Sequence, residues 1–422
     1  MYQKSVLPNG LRVITAPMPH TRSATVAIFV GAGSRYEPDE VAGISHFIEH
    51  MLFKGTERRP TPREVSEEIE AVGGLLNAAT DRELTVYWAK TPRPAFERTF
   101  DCLADMVRHS RFDPAEIEKE RGVIIEELNM VHDSPQQLVD QLIDEVVWPD
   151  QPLGRDIAGT RETVAAITRE QQLAYLERQY RPNNTVVSVA GNIEHAETVE
   201  LATRLFGDWL PCEPAPMYPA RDGQSAPRLR LLTRRTEQAH LSLAVRALDA
   251  HHPDRYALDL LNVILGEGMS SRLFQEIREN QGLAYDVHSY VSRFQDTGAL
   301  TVYAGVDPQR IEAALEAVLA ELRRFTREPV SERELAKAKD LVKGRLLLRL
   351  EDTRAVATSY GNQELLFGEI LTADDLVHRI DQVTPDDIQR VATTIFRDER
   401  LNLAVVGNYR REERFRSLLR LA

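Results

Sequence analysis

The stretch "LTVYWAK", Leu84–Lys90, recurs as "LTVYAGV", Leu300–Val306. A second pair repeats it: "VSVAGN", Val187–Asn192, returns as "LAVVGN", Leu403–Asn408. Thr85 maps onto Thr301 and Gly191 onto Gly407, the same offset of 216 residues in both cases. Two independent matches at one offset read as a duplicated unit of about 210 residues. Between the copies lies "LPCEPAPMYPARDGQSAP", Leu210–Pro227, with five prolines and no apolar period. Proline fixes φ and turns the preceding residue away from helix, so this segment reads as an extended linker. The expected boundaries are 1–209 for a first domain, 210–227 for the linker and 228–422 for a second, homologous domain.

Inside each copy, "RSATVAIFVGAG" and "QAHLSLAVRAL" alternate or run apolar as strands do. "PREVSEEIEAVG" and "PDRYALDLLNVIL" read as helices. After a strand pair come the amphipathic stretches "RPAFERTFDCLADMVRHS" and "PQRIEAALEAVLAELRRFT". Strands and helices mix without a regular βαβ alternation. The expected fold class is therefore α+β: two tandem homologous sandwiches, each a mostly antiparallel sheet packed with helices.

Composition bounds the function. The 422 residues hold 52 Lys plus Arg against 65 Asp plus Glu, a net charge of −13. That balance argues against sequence-independent binding to nucleic acid, which needs a basic footprint. It suits cationic peptides, and it equally suits solubility alone. Two cysteines, Cys102 and Cys212, cannot make a disulfide framework. With no long apolar run and no leader-like segment, the expectation is a soluble, cytoplasmic protein with no membrane partner.

"GISHFIEHML", Gly43–Leu52, places His46, Glu49 and His50 at i, i+3 and i+4, on one side of a helix. A hydrolytic zinc site wants three protein ligands and an open position. Two histidines supply two nitrogens, and the glutamate beside them is placed to take a proton. This is the inverted H-x-x-E-H order. Alone, the pentapeptide leaves open a helix with two structural histidines. A third ligand should be a carboxylate on a separate helix, and "EIEKERGVIIEELNMVHDSP", Glu116–Pro135, is the best candidate. Glu120 and Glu127 lie two turns apart on one face, with Val123 and Ile124 on or near it, whereas Glu126 points away. A surface helix rich in glutamate is the competing reading of that stretch alone.

With "GISHFIEHMLFKGT", "GGLLNAATDRELTVYWA", "ERGVIIEEL" and "GMSSRLFQEIRENQGLAYDV", the sequence resembles the pitrilysin/insulinase family of inverted-motif zinc peptidases. Within that family it is most similar to the branch of short subunits that resemble the mitochondrial processing peptidase. The resemblance covers essentially the whole chain, and 76 residues separate His50 from Glu127, as the family's spacing requires. It implies one zinc ion per chain held by His46, His50 and Glu127. It further implies Glu49 as general base and Glu120 as the residue that orients a ligand. The second copy has no histidine pair and should be catalytically silent. The resemblance gives it Arg278 and Tyr285, which would reach substrate carbonyls, Tyr285 helping to stabilise the oxyanion.

The same resemblance sets Asn77 and Ala78 opposite the scissile segment, on an edge strand able to pair with an extended peptide. Unfolded peptides would be the substrates, cut within a closed chamber formed by a pair of chains. No glycine-rich loop of the non-catalytic processing subunit is present, so the expected partner is a second copy, with a related inactive chain as the alternative. Relatives often carry histidine ahead of Pro-Leu-Gly-Arg, where this sequence has Gln151. Two rival readings stay open: a non-catalytic scaffold subunit of the same fold, and a peptidase dedicated to one precursor peptide.

Overall fold

The structure, a computed structural model, describes residues 2–421. A first sheet holds β1 (Gln3–Val6), β2 (Arg12–Pro17), β3 (Ser23–Val30), β4 (Leu75–Thr80), β5 (Thr85–Pro92) and β6 (Thr185–Gly191). Their order is β1-β2-β6-β3-β5-β4. β2 and β6 pair in parallel and the other neighbours are antiparallel. A second sheet holds β7 (Arg228–Thr233), β8 (Ala239–Ala247), β9 (Ala284–Arg293), β10 (Gly298–Val306) and β11 (Leu401–Gly407). Its order, β7-β11-β8-β10-β9, repeats the first sheet without β1, and again one pair, β7 with β11, is parallel. β6 and β11 are displaced by 216 residues at both ends, the offset of the sequence repeat. The expected α+β class and the duplication are both found.

β3 is buried along nearly its whole length and β8 likewise. A strand apolar on both faces must be covered on both faces. On one side of the first sheet, Phe47, Ile48, Met51 and Leu52 of the helix Ile44–Leu52 and Phe100, Leu103 and Val107 of the helix Phe96–His109 pack on Val26, Ile28 and Val187. The second sheet is covered on the matching side by the helices Arg255–Gly266, Ile311–Arg327 and Pro385–Ile395.

The opposite faces are covered by helices from elsewhere in the chain. Val356, Ala357 and Tyr360 of the helix Thr353–Phe367 pack on Ile14, Ala27, Phe29 and Val86 of the first sheet. Leu138, Val139, Leu142, Ile143 and Val146 of the helix Pro135–Val147 pack on Ala244, Ala299, Tyr303 and Val406 of the second. Each such side chain contributes roughly 1.5–3 kcal/mol of burial, so neither sheet face can stay bare.

The compact units are therefore discontinuous. One comprises Met1–Leu128, Asp156–Tyr218 and Leu346–Thr372, and the other Asn129–Arg155, Pro219–Arg345 and Ala373–Ala422. The contiguous boundaries 1–209 and 228–422 are corrected accordingly. Each copy gives up one helix to the sheet of the other, and the chain crosses from unit to unit inside the linker at Tyr218–Pro219. Among the described residues, no helix is long and apolar enough to cross a membrane.

Candidate metal centre

The helix Ile44–Leu52 starts at Gly43, whose φ of +95° is left-handed. A Cβ there would lie 2.4 Å from the Ala158 carbonyl oxygen, so only glycine fits. The buried Glu37 carboxylate accepts from the backbone N–H of Gly43 and of Ser45, each at 2.8 Å. A negative charge at a helix N-terminus satisfies the unpaired amides and opposes the dipole. With Phe47, Ile48, Met51 and Leu52 turned into the core, helical geometry leaves His46, Glu49 and His50 on the other side.

The helix Pro114–Asp133 brings Glu120 and Glu127 to them. His46 Nε2 and His50 Nε2 lie 3.2 Å apart. Glu127 Oε2 is 3.7 Å from the first and 3.6 Å from the second. Two ligands of a tetrahedral zinc, each bound at about 2.0–2.2 Å, are separated by about 3.3–3.5 Å. The three edges of this triangle match that separation to within a few tenths of an ångström, so the donor set fits zinc. Among the described residues it is the one group of three whose donor atoms converge this way.

Glu120 is buried and does different work. Its Oε2 sits 3.1 Å from His50 Nδ1 and its Oε1 accepts from Lys54 Nζ at 2.7 Å. An acceptor at Nδ1 holds the proton there, leaving the Nε2 lone pair facing His46 and Glu127. His46 has no counterpart: its Nδ1 is buried without a hydrogen bond. Burial, and then the neighbouring His50, lower the His46 pKa to about 4. The ring therefore stays neutral at physiological pH, as a metal ligand must.

Glu49 faces the same space. Burial raises its pKa, and a hydrogen bond from the Thr80 hydroxyl, 2.5 Å from Oε2, works against that rise. Thr80 ends β4, the edge strand that also carries Asn77 and Ala78. Exposed and half-buried residues alternate along β4, and Asn77 Oδ1 accepts from the Ala78 N–H at 2.7 Å.

Arg278 and Tyr285 are brought to each other in the second unit. The Arg278 guanidinium lies 4.8 Å from the ring centroids of both Phe274 and Tyr285, and it donates to the Tyr285 carbonyl at 2.8 Å. Arg278 lies in a π-helical segment, Phe274–Asn280, a form that recurs at functional sites. Tyr285 is 74% exposed, so it is not a core residue. At the 216-residue offset, His46 and His50 correspond to Asn262 and Gly266, which offer no pair of metal-binding nitrogens. Gln151 is buried in the second unit, where its side-chain amide accepts from and donates to the Arg221 backbone.

Three residues at the site lie outside the sequence reading: Glu37, Lys54 and Thr80. Glu37 stands six residues before the glycine that opens the metal helix, which is the one sequence cue available for it. One neighbour of the glutamates also departs from expectation. Val123 is exposed and Ile124 alone buries its side chain, because the core lies to one side of the ligand face.

A histidine pair on one helix, a carboxylate from a second and a glutamate beside them are the residue set that a metallopeptidase of the inverted type requires. Comparison with known proteins agrees. Residues 12–161 match the family "Insulinase (Peptidase family M16)" and residues 166–342 match "Peptidase M16 inactive domain". A Streptomyces coelicolor protein named an uncharacterized zinc protease is 38% identical, over 96% of this chain and 89% of its own length. A Bacillus subtilis protein of the same description is 36% identical, over 94% and 97%. A protease from Helicobacter pylori has a similar fold, with a TM-score of 0.91 at 24% identity over 96% of this chain and 99% of its own. So does a chain in complex III2 from Candida albicans, with a TM-score of 0.83 at 21% identity over 99% of both chains. The chain belongs to the insulinase family of peptidases, family M16.

Proposed function

We propose that the chain is a zinc-dependent endopeptidase for unfolded peptides and short protein segments, with His46, His50 and Glu127 as the ligands of one ion. The observation that carries this reading is the convergence of those three donor atoms beside a partly buried Glu49. A bound zinc ion supplies an open coordination position and lowers the pKa of a water there to about 7. Glu49 then acts as the general base: its carboxylate takes the proton and returns it to the leaving amine. Glu120 keeps the His50 proton on Nδ1 throughout, and Lys54 neutralises Glu120.

In this reading an extended peptide adds to the free edge of β4 through backbone hydrogen bonds, next to Asn77 and Ala78. Selection by backbone makes the enzyme strict about conformation and broad in sequence, and the −13 charge favours cationic peptides. Arg278 and the exposed Tyr285 hydroxyl contact substrate carbonyls, Tyr285 at the developing oxyanion. The chain works as a homodimer in the cytoplasm and as a member of the branch resembling the mitochondrial processing peptidase, a reading that its two-domain organisation supports.

The fold shared with a complex III2 chain favours a second reading, a scaffold subunit without chemistry. Cleavage of a quenched, basic, unstructured peptide by the purified protein separates them. Activity lost on chelation, restored by zinc and abolished in Glu49→Gln supports the peptidase. Zinc bound with no cleavage of any unstructured peptide, in wild type as in Glu49→Gln, refutes it.

A further inference from the structure

The strand offered to the peptide and the carboxylate offered to the proton meet at Thr80, whose hydroxyl and, more weakly, backbone N–H both act on Glu49. β4 runs Leu75–Thr80, pairs on one side with β5 and has its other side at the sheet edge. Its last residue, Thr80, donates its hydroxyl to Glu49 Oε2 at 2.5 Å. Threonine is β-branched and stiff at χ1, so a hydroxyl on a fixed backbone has a fixed position.

That backbone is fixed. The turn after β4 is closed by the Asp81 N–H to the Leu84 carbonyl at 2.8 Å. It is tied to the preceding segment by Ser34 N–H to Asp81 O at 3.3 Å and Arg35 N–H to Arg82 O at 2.9 Å. Within the turn, Glu83 forms a buried ion pair with Arg35, Nη1 to Oε1 at 2.5 Å. Two residues beyond Arg35, Glu37 holds the N-terminus of the metal helix. Residues 34–37 therefore anchor both ends of the Thr80–Glu49 contact, the strand end and the helix that carries Glu49.

We infer that Thr80 is a positioning residue, which holds the Glu49 carboxylate in its working orientation and couples it to β4. The inference rests on the peptidase reading for its catalytic consequence, and on the geometry alone for the orientation itself. Without the hydroxyl, Glu49 keeps its place on the helix and a weaker contact with the Thr80 backbone, but loses the 2.5 Å bond that fixes its rotamer. A carboxylate displaced by about 1 Å costs on the order of 10²-fold in rate, with no change in what the site binds.

The test compares wild type, Thr80→Val and Thr80→Ser as zinc-loaded full-length chains. Valine keeps the β-branched shape and removes the hydroxyl, whereas serine keeps the hydroxyl. Crystal structures read the Glu49 carboxylate position; peptide cleavage reads kcat and KM; metal analysis reads zinc per chain. Expected are a displaced Glu49 in Thr80→Val, a kcat lower by about 10–100-fold, a KM within about twofold and unchanged zinc. Thr80→Ser should restore the carboxylate position and recover kcat to within about threefold of wild type, serine being freer at χ1.

An unmoved Glu49 in Thr80→Val overturns the inference. So does a Thr80→Ser variant as impaired as the valine, which would assign the effect to packing of the methyl group. Loss of zinc in Thr80→Val overturns it too, since the site as a whole would then have collapsed. A wild-type chain without chelator-sensitive cleavage refutes the peptidase reading instead, and the crystallographic position of Glu49 then decides the inference on its own.

Discussion

Removing the Glu120 carboxylate should weaken zinc binding without touching a ligand. Glu120 is 6% exposed and each oxygen has one partner, His50 Nδ1 at 3.1 Å and Lys54 Nζ at 2.7 Å. Glu120→Gln keeps an oxygen for the Nδ1 proton but loses the charge that strengthens that bond and neutralises Lys54. Glu120→Ala loses both and leaves the Lys54 ammonium without its carboxylate. Replacing such a partner of a metal-bound histidine costs about 10–100-fold in metal affinity, or about 1.4–2.7 kcal/mol. Glutamine belongs near the lower limit and alanine near the upper one. Competition of the purified chains with a chromophoric zinc chelator at pH 7.5 gives the dissociation constants, with thermal melts to verify the fold. A zinc Kd for Glu120→Ala within twofold of wild type, in a folded protein, would refute the argument that Glu120 sets the His50 tautomer.

Three further outcomes follow from other parts of the molecule. In metal-free protein, His46 should stay neutral until the pH falls to about 4, followed by its ring resonances in NMR. Its folded pKa lies below the unfolded value of about 6.5, so the unfolded chain takes the proton first. Stability is then lost as pH falls from about 6.5 towards 4, by up to about 3 kcal/mol; a His46 midpoint near 6.5 contradicts this. Gly361→Ala should destabilise by about 1–3 kcal/mol in urea unfolding, because its Cβ would lie 2.1 Å from Phe29 Cε2, and a neutral result would mean the helix can shift. Glu37→Ala leaves two buried helix amides without an acceptor and should cost about 1–3 kcal/mol, with weaker zinc binding. Unchanged stability and zinc affinity would show that water serves these amides equally well.

Much of this architecture can be read from the residues because duplication leaves a constant offset. "VSVAGN" and "LAVVGN" became β6 and β11 at the same 216-residue displacement. Helical spacing puts His46 with His50, and Glu120 with Glu127, before any tertiary contact is known, and the resemblance to the inverted-motif peptidases is what singled out His46, His50 and Glu127 as the ligand set. The exchanged helices were not legible. Leu138, Leu142 and Val146 announce an apolar face, but periodicity says that a face is buried and never against which sheet. Thr80 and Glu37 escaped for a different reason. Each acts through one or two hydrogen bonds across the chain, and a lone threonine at a strand end has the pattern of any other. Tyr285 shows the converse limit, since only its solvent exposure in the fold separates it from a core tyrosine.

The exchange of helices also governs how this protein can be taken apart. The chain passes between its two units five times, so a single nick in the 210–227 linker cuts one connection and leaves four intact. A fragment ending at residue 209 would lack Thr353–Phe367 and bare the sheet face around Ile14, Ala27 and Phe29. The complementary fragment would lack Pro135–Val147 and bare Ala244, Ala299 and Val406. Each piece carries the lid for the other's sheet and none for its own. Neither copy alone covers both faces of its sheet, and expressed alone each should be sticky until its complement is supplied.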